Sequence, residues 1–201
     1  LADPNGMCQI GDTYHIYYIY NPLACITDER TACVWGHYST QDFVHFKREK
    51  IAIYPDSQYD KDGVYSGSSL LESGVLHVFY TGNVRYTGDY DYVTSGREQN
   101  VLSVSSLDGI HFNHKQLLMN KDFPHTMTKH VRDPQIFKED NQYYMVLGAR
   151  HLENKGLVLI YESQDMTHWT YLNELTTSNT FGYMWECPDI IILGKHRFLI
   201  A

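Results

Sequence analysis

The sequence predicts an all-β fold of the propeller type. Three observations carry this reading. A turn signature recurs three times along the chain, and each copy follows a strand-like run behind a turn of its own. Helical periodicity with caps is hard to find anywhere. An ordinary β-sandwich with similar hairpins is the competing fold, but sandwiches do not usually repeat one turn signature at such spacing.

The signature is Ser or Thr, any residue, Asp, two more, His, then an aromatic. Its copies run from Thr40 through Asp42 and His45 to Phe46, from Ser106 through Asp108 and His111 to Phe112, and from Ser163 through Asp165 and His168 to Trp169. Each reads as a strand, a tight turn built on Asp, and a return strand opened by the aromatic. The His and Asp residues are accordingly structural. The upstream strands are Tyr14 to Tyr20 behind Gly11-Asp12, Val75 to Tyr80 behind Ser73-Gly74, and Gln142 to Leu147 behind Asp140-Asn141. Asp189 to Leu193, Gly194-Lys195 and Arg197 to Ile200 begin a fourth unit. A further strand precedes each hairpin and starts at a motif: Asp3, Ser66, Asp133, Glu186. Four short strands per unit make the blade of a β-propeller. The units fall at about 1–62, 63–124 and 125–180, with a fourth starting at 181–201. They exceed the usual period of roughly 40–50 residues. Loops account for the excess, at Val84 to Asn100 and Asn113 to His130.

The composition is that of an ordinary globular domain, 43% hydrophobic and 20% charged over 201 residues. Seventeen Tyr and eight Phe favour strands and carbohydrate-stacking surfaces. A net charge of −8 argues against nucleic-acid partners, and no run of 18 apolar residues offers a membrane span. The four Cys lack CxxC spacing, so no zinc site is expected; Cys25 and Cys33 are near enough in sequence to pair, though reduced thiols are the simpler reading. The absence of an Asn-x-Ser/Thr site favours a cytoplasmic or bacterial setting. The chain starts on a motif and stops within a strand pattern, so it reads as an internal piece of a longer protein.

The chemistry sits in three acidic words: Asp3-Pro4-Asn5-Gly6, Arg132-Asp133-Pro134 and Glu186-Cys187-Pro188. Taken singly, an Asp before Pro often just begins a turn, Arg132-Asp133 is as readily a local ion pair, and Glu186 is as readily a solvated strand end. In a propeller the inner strands surround a central channel. If Asp3, Ser66, Asp133 and Glu186 are equivalent in successive blades, their side chains converge at one mouth. A converging acidic pocket is what glycosidic bond cleavage needs.

Together with Tyr20-Asn21-Pro22, Trp35-Gly36-His37, Tyr65-Ser66-Gly67-Ser68 and Tyr80-Thr81-Gly82-Asn83, these words resemble glycoside hydrolase family 32, in the family's order and along the whole chain. The segment around Gly182 to Pro188 is most similar to the bacterial sucrose-6-phosphate hydrolase branch. The resemblance implies a five-bladed propeller followed by a β-sandwich, with about three blades and the start of a fourth present here. It implies a retaining enzyme acting on sucrose, sucrose 6-phosphate or a fructan, without metal or organic cofactor. Asp3 becomes the nucleophile, Glu186 the acid and base, and Asp133 the transition-state stabiliser. Trp35, Tyr65 and Ser66 border the fructosyl pocket, and Arg132 orients the acids or touches a sugar hydroxyl; core packing competes for the two aromatics. Two positions depart from the family: Ala2 stands where Asn precedes the nucleophile, and Ile19, a substrate-binding position, stands in place of Gln. A fructosyltransferase with the same triad and a non-catalytic sugar-binding propeller are the alternatives.

Overall fold

The computed structural model describes residues 2–24, 32–179 and 181–201. Every regular element among them is a strand. The first sheet runs β1 (Ala2–Ile10), β2 (Thr13–Tyr20), β3 (Val34–Thr40), β4 (Phe46–Arg48). The second runs β5 (Val64–Glu72), β6 (Val75–Arg85), β7 (Arg97–Ser106), β8 (Asn113–Met119). The third runs β9 (Met127–Glu139), β10 (Gln142–His151), β11 (Gly156–Ser163), β12 (Thr170–Leu175). A hairpin of β13 (Asp189–Leu193) and β14 (His196–Ile200) follows. Neighbours in each sheet are antiparallel and consecutive, the meander of a propeller blade. Cys8, Cys33 and Cys187 are free thiols, and Cys25 lies outside the described residues.

Blades stack face to face, and strand alternation decides which residues meet. On β6, Val78 and Tyr80 join Tyr17, Trp35 and Leu102 in the core toward the first blade. Phe79, between them, joins Val101, Met145, Leu147 and Leu159 in the core toward the third. Around the axis the inner strand β5 adjoins both β1 and β9.

The three signature turns are copies in detail. Oγ of Thr40, Ser106 or Ser163 accepts backbone N–H groups from the second and third residues on. Oδ1 of Asp42, Asp108 or Asp165 accepts two more, and Oδ2 takes Nδ1 of His45, His111 or His168 at 2.7, 2.7 and 2.8 Å. The residue after each Asp adopts φ of 57°, 71° and 61° (Phe43, Gly109, Met166). These bonds hold all three Asp carboxyls well below the usual range. The His ring is the largest cause at Asp42 and Asp108, and the His168 N–H at Asp165.

Two expected loops contain more strand than the sequence signalled. β6 and β7 stay paired out to Arg85 opposite Arg97, and Asn113–Met119, the first part of the second expected loop, forms the outer strand β8. β8 is polar on its exposed side, so its hydrophobic alternation is weak.

The inner strands also correct the register. The motifs do not all start a strand: Asp133 lies deep inside β9, and Glu186 precedes β13. Asp3, Ser66 and the Asp133-Pro134 pair sit at breaks in strand pairing, between Ala2/Pro4, Tyr65/Gly67 and Arg132/Gln135. Each is a β-bulge, which re-aims a side chain toward the axis. Asp3 and Asp133 have φ of 39° and 62°, and each precedes a Pro. The residue of the third word with this conformation is Cys187, at 46°, ahead of Pro188. Cys187 is therefore the backbone equivalent of Asp3 and Asp133, and Glu186 is offset by one, matching Arg132 and Ala2. Positive φ is uncommon outside Gly, and such strain collects at functional sites.

Candidate active site

The three bulges and the 181–188 segment meet at the axis. Asp3 Oδ2 accepts from Ser66 Oγ at 3.1 Å, joining β1 to β5. Asn5 stiffens this contact: its Nδ2 donates to the Asp3 carbonyl at 2.7 Å, and its Oδ1 accepts the Gly67 N–H at 3.1 Å. Ser66 also lies close enough to the Cys187 thiol to favour its charged form. The Cys187 N–H donates to Asp133 Oδ2 at 3.0 Å, and the Asp133 N–H donates to Thr81 Oγ1 at 2.8 Å. Two hydrogen-bonded pairs, Asp3 with Ser66 and Cys187 with Asp133, thus stand side by side in one line across three blades and the segment beyond. A cavity of about 270 Å³ lies along it, lined by Asn5, Ser66, Asp133, Gln135 and Cys187 among others.

Arg132 joins the third carboxylate. Its Nη2 contacts Glu186 Oε1, and its Nε lies 3.7 Å from Asp133 Oδ2. Two acids therefore share one guanidinium in contrasting settings: the Asp133 side chain is 6% exposed and that of Glu186 60%. Burial raises the Asp133 pKa to about 6; the Cys187 N–H and Arg132 pull it down, while Glu186 and Asp3 push it up. Although Cys187 is an exposed residue, its thiol is pushed up to about 12, first by desolvation and then by the charges of Asp133, Asp3 and Glu186. All three carboxyls lie within electrostatic reach of one thiol.

Glycines seat the segment that carries Glu186. A Cβ at Gly148 would collide with the Trp185 carbonyl oxygen, and one at Gly156 with the Trp185 ring. The Gly156 N–H donates to the Gly182 carbonyl at 3.0 Å, and Trp185 Nε1 to the Phe181 carbonyl at 2.6 Å.

The other expected site residues divide. Ser66 and Arg132 stand among the carboxyls. Trp35 is fully buried; its Nε1 donates to the Tyr65 carbonyl at 2.9 Å and its ring backs Gly6, so it supports the site from behind. Tyr65 lines a neighbouring cleft of about 620 Å³ with Asn21, Lys61, Arg85 and Tyr92. Ile19 is half-buried against the first core and pairs directly with Ala2. The two departures from the family pattern are therefore one cross-strand pair beside Asp3. Asn5 and Thr81 are further partners at the site, and both lie inside the motifs Asp3-Pro4-Asn5-Gly6 and Tyr80-Thr81-Gly82-Asn83.

Comparison with known proteins adds to this geometry. Residues 1–200 match the model for the glycosyl hydrolases family 32 N-terminal domain. The chain is 38% identical to the sucrose-6-phosphate hydrolases of Klebsiella pneumoniae and Bacillus subtilis, aligned over its whole length and over 42% and 41% of theirs. It thus spans about two fifths of the length of these curated relatives. The sucrose-6-phosphate hydrolase of Lactobacillus gasseri superposes with a TM-score of 0.85 at 32% identity, over 99% of this chain and 39% of its own. A variant β-fructofuranosidase of Bombyx mori, solved in complex with sucrose, gives 0.75 at 26% identity over 96% of this chain and 39% of its own.

Proposed function

The chain belongs to glycosyl hydrolase family 32, and from that premise we propose that it supplies the catalytic carboxyls of a retaining β-fructosidase. Its substrate in this reading is sucrose 6-phosphate, sucrose or a related β-fructoside. The observation that carries the proposal is the convergence of Asp3, Asp133 and Glu186 through Ser66, Cys187 and Arg132.

The steps follow from the settings of the groups. The Asp3 carboxylate attacks C2 of the fructosyl unit, and the bond from C2 to the bridging oxygen breaks. Glu186 delivers a proton to that oxygen as the leaving sugar departs. Glu186 then takes a proton from water, which attacks C2 and frees Asp3. Asp133, fixed by the Cys187 N–H, holds sugar hydroxyls while positive charge develops on the ring. The exposure of Glu186 gives water a path to the base, and Ser66 aims the nucleophile.

The test is sugar release by the full-length protein. Equal glucose (or glucose 6-phosphate) and fructose support hydrolysis. An excess of the glucose product shifts the reading to fructosyl transfer, and no release from any β-fructoside refutes it.

A further inference from the structure

Beside the carboxyls this acidic chain, with a net charge of −8, gathers positive charge. Arg132 directs Nη1 to His130 Nδ1 at 2.7 Å and to Gln99 Oε1 at 3.2 Å, while its Nη2 stays on Glu186. Arg97, from the start of β7, directs its own Nη1 to the same His130 nitrogen at 3.3 Å. A ring nitrogen that receives two guanidinium N–H groups is an acceptor, so the ring is neutral. Burial first, then the charges of Arg132 and Arg97, push the His130 pKa down to about 4. His130 is a neutral spacer that holds two guanidinium groups near each other.

The same strand ends open onto a cleft of about 280 Å³. Arg97, Gln99 and Lys129 line it, with Lys121, His125 and Glu98. Glu98 is taken up by Lys121 at 2.6 Å and by the Tyr86 hydroxyl at 2.8 Å, and Glu186 by Arg132. Gln99 is 4% exposed, yet its Nε2 has no partner among the described residues. A buried donor is costly to leave without an acceptor. A guanidinium, an amide donor and a lysine on one cleft suit a tetrahedral oxyanion, which accepts several charge-assisted bonds at once. A continuous line, Glu186 to Arg132 to His130 to Arg97, connects the proposed acid to this cleft.

We propose that Arg97, Lys129 and the Gln99 amide, arranged around His130, form an anion subsite that takes the phosphate of a phosphorylated leaving sugar. The subsite rests on the β-fructosidase reading for its substrate, but its capacity to bind phosphate does not. It gives the protein a reason to prefer a sugar phosphate over the neutral disaccharide.

The test compares kcat/KM for sucrose 6-phosphate and for sucrose in the full-length protein, in wild type, Arg97→Gln and Arg97→Gln/Lys129→Gln. The ratio of the two values is expected to fall about ten-fold or more, the scale of one lost charge-assisted hydrogen bond. Arg97→Lys, which keeps the charge and loses the planar fork, recovers part of the loss. A ratio unchanged in both variants overturns the subsite. If wild type cleaves neither sugar, the fructosidase reading has failed, and calorimetry decides the subsite. Inorganic phosphate and glucose 6-phosphate that bind wild type but not the double variant keep it, and no binding to wild type overturns it.

Discussion

The outer turns and the inner bulges of this molecule repeat in opposite ways. At the rim, three turns share sequence, hydrogen bonds and φ, and each does the same mechanical work. At the axis, three blades share only the backbone device of a bulge, and the side chains placed on it differ: Asp3, Ser66 and Asp133. The left-handed conformation before Pro recurs at Asp3, Asp133 and Cys187, yet only two of these carry carboxyls. Repetition at the rim holds the blade together. Divergence at the axis gives each blade a separate part in one site.

The largest expected break in this arrangement comes from Arg132→Gln, which removes the cation shared by Asp133 and Glu186. We expect kcat/KM to fall by about 100-fold, on the scale of lost positioned charge contacts at a reacting centre. Its pH profile carries a second signature. In the proposed mechanism Asp133 works ionised, so the acid limb in wild type is expected near its pKa of about 6. Arg132 lowers that pKa, so the variant's limb moves to higher pH. The same group affects folding with a definite sign. Because the folded pKa is raised, its contribution to stability is full below about pH 4 and is lost as pH rises through about 6.

Next is Gly148→Ala, which removes no carboxyl but pushes on the Trp185 carbonyl. A shift of Glu186 by a fraction of an ångström is expected to lower kcat by up to about 100-fold, with a smaller effect on KM. Steady-state kinetics beside a thermal melt separate this from general unfolding. A smaller effect comes from the Ala2 and Ile19 pair. Because the two face each other across β1 and β2, Ala2→Asn and Ile19→Gln act together. The double change is expected to lower KM by about ten-fold, on the scale of one or two buried hydrogen bonds, and each single change by less than half of that in free energy. Unchanged kinetics in the double variant exclude a sugar-holding role for these positions. The smallest effect belongs to the rim. Asp165→Ala is expected to cost a few degrees in Tm with kcat intact. Since the Asp165 pKa is depressed on folding, the deficit is full above about pH 4 and fades as the pH falls further.

These contrasts also explain what the sequence made legible. The rim turns were readable because side chain and backbone bond within six residues, so Asp42, Asp108 and Asp165 announce themselves. The convergence of Asp3, Asp133 and Glu186 was readable from motif order, but the offset at Glu186 was not. It depends on φ, which places Cys187 rather than Glu186 at the equivalent position. Trp35 carries no local signal to separate a sugar platform from a core residue; only the packing of blade on blade buries it. The strand β8 was hidden by its polar face. The meeting of Arg97 with His130 joins residues 33 apart on different blades, and no pattern in either segment encodes it.

The proposal that the first blade, the third blade and the segment beyond it contribute the nucleophile, the stabiliser and the acid is tested most directly by trapping the intermediate. The full-length Glu186→Gln protein is given a fructosyl donor whose leaving group needs no proton, then quenched, digested and mapped by mass spectrometry. Without a base to activate water, one fructosyl unit is expected to accumulate as an ester on Asp3. A fructosyl group on another residue, or free fructose released at the wild-type rate with Asp3 unmodified, would contradict the account.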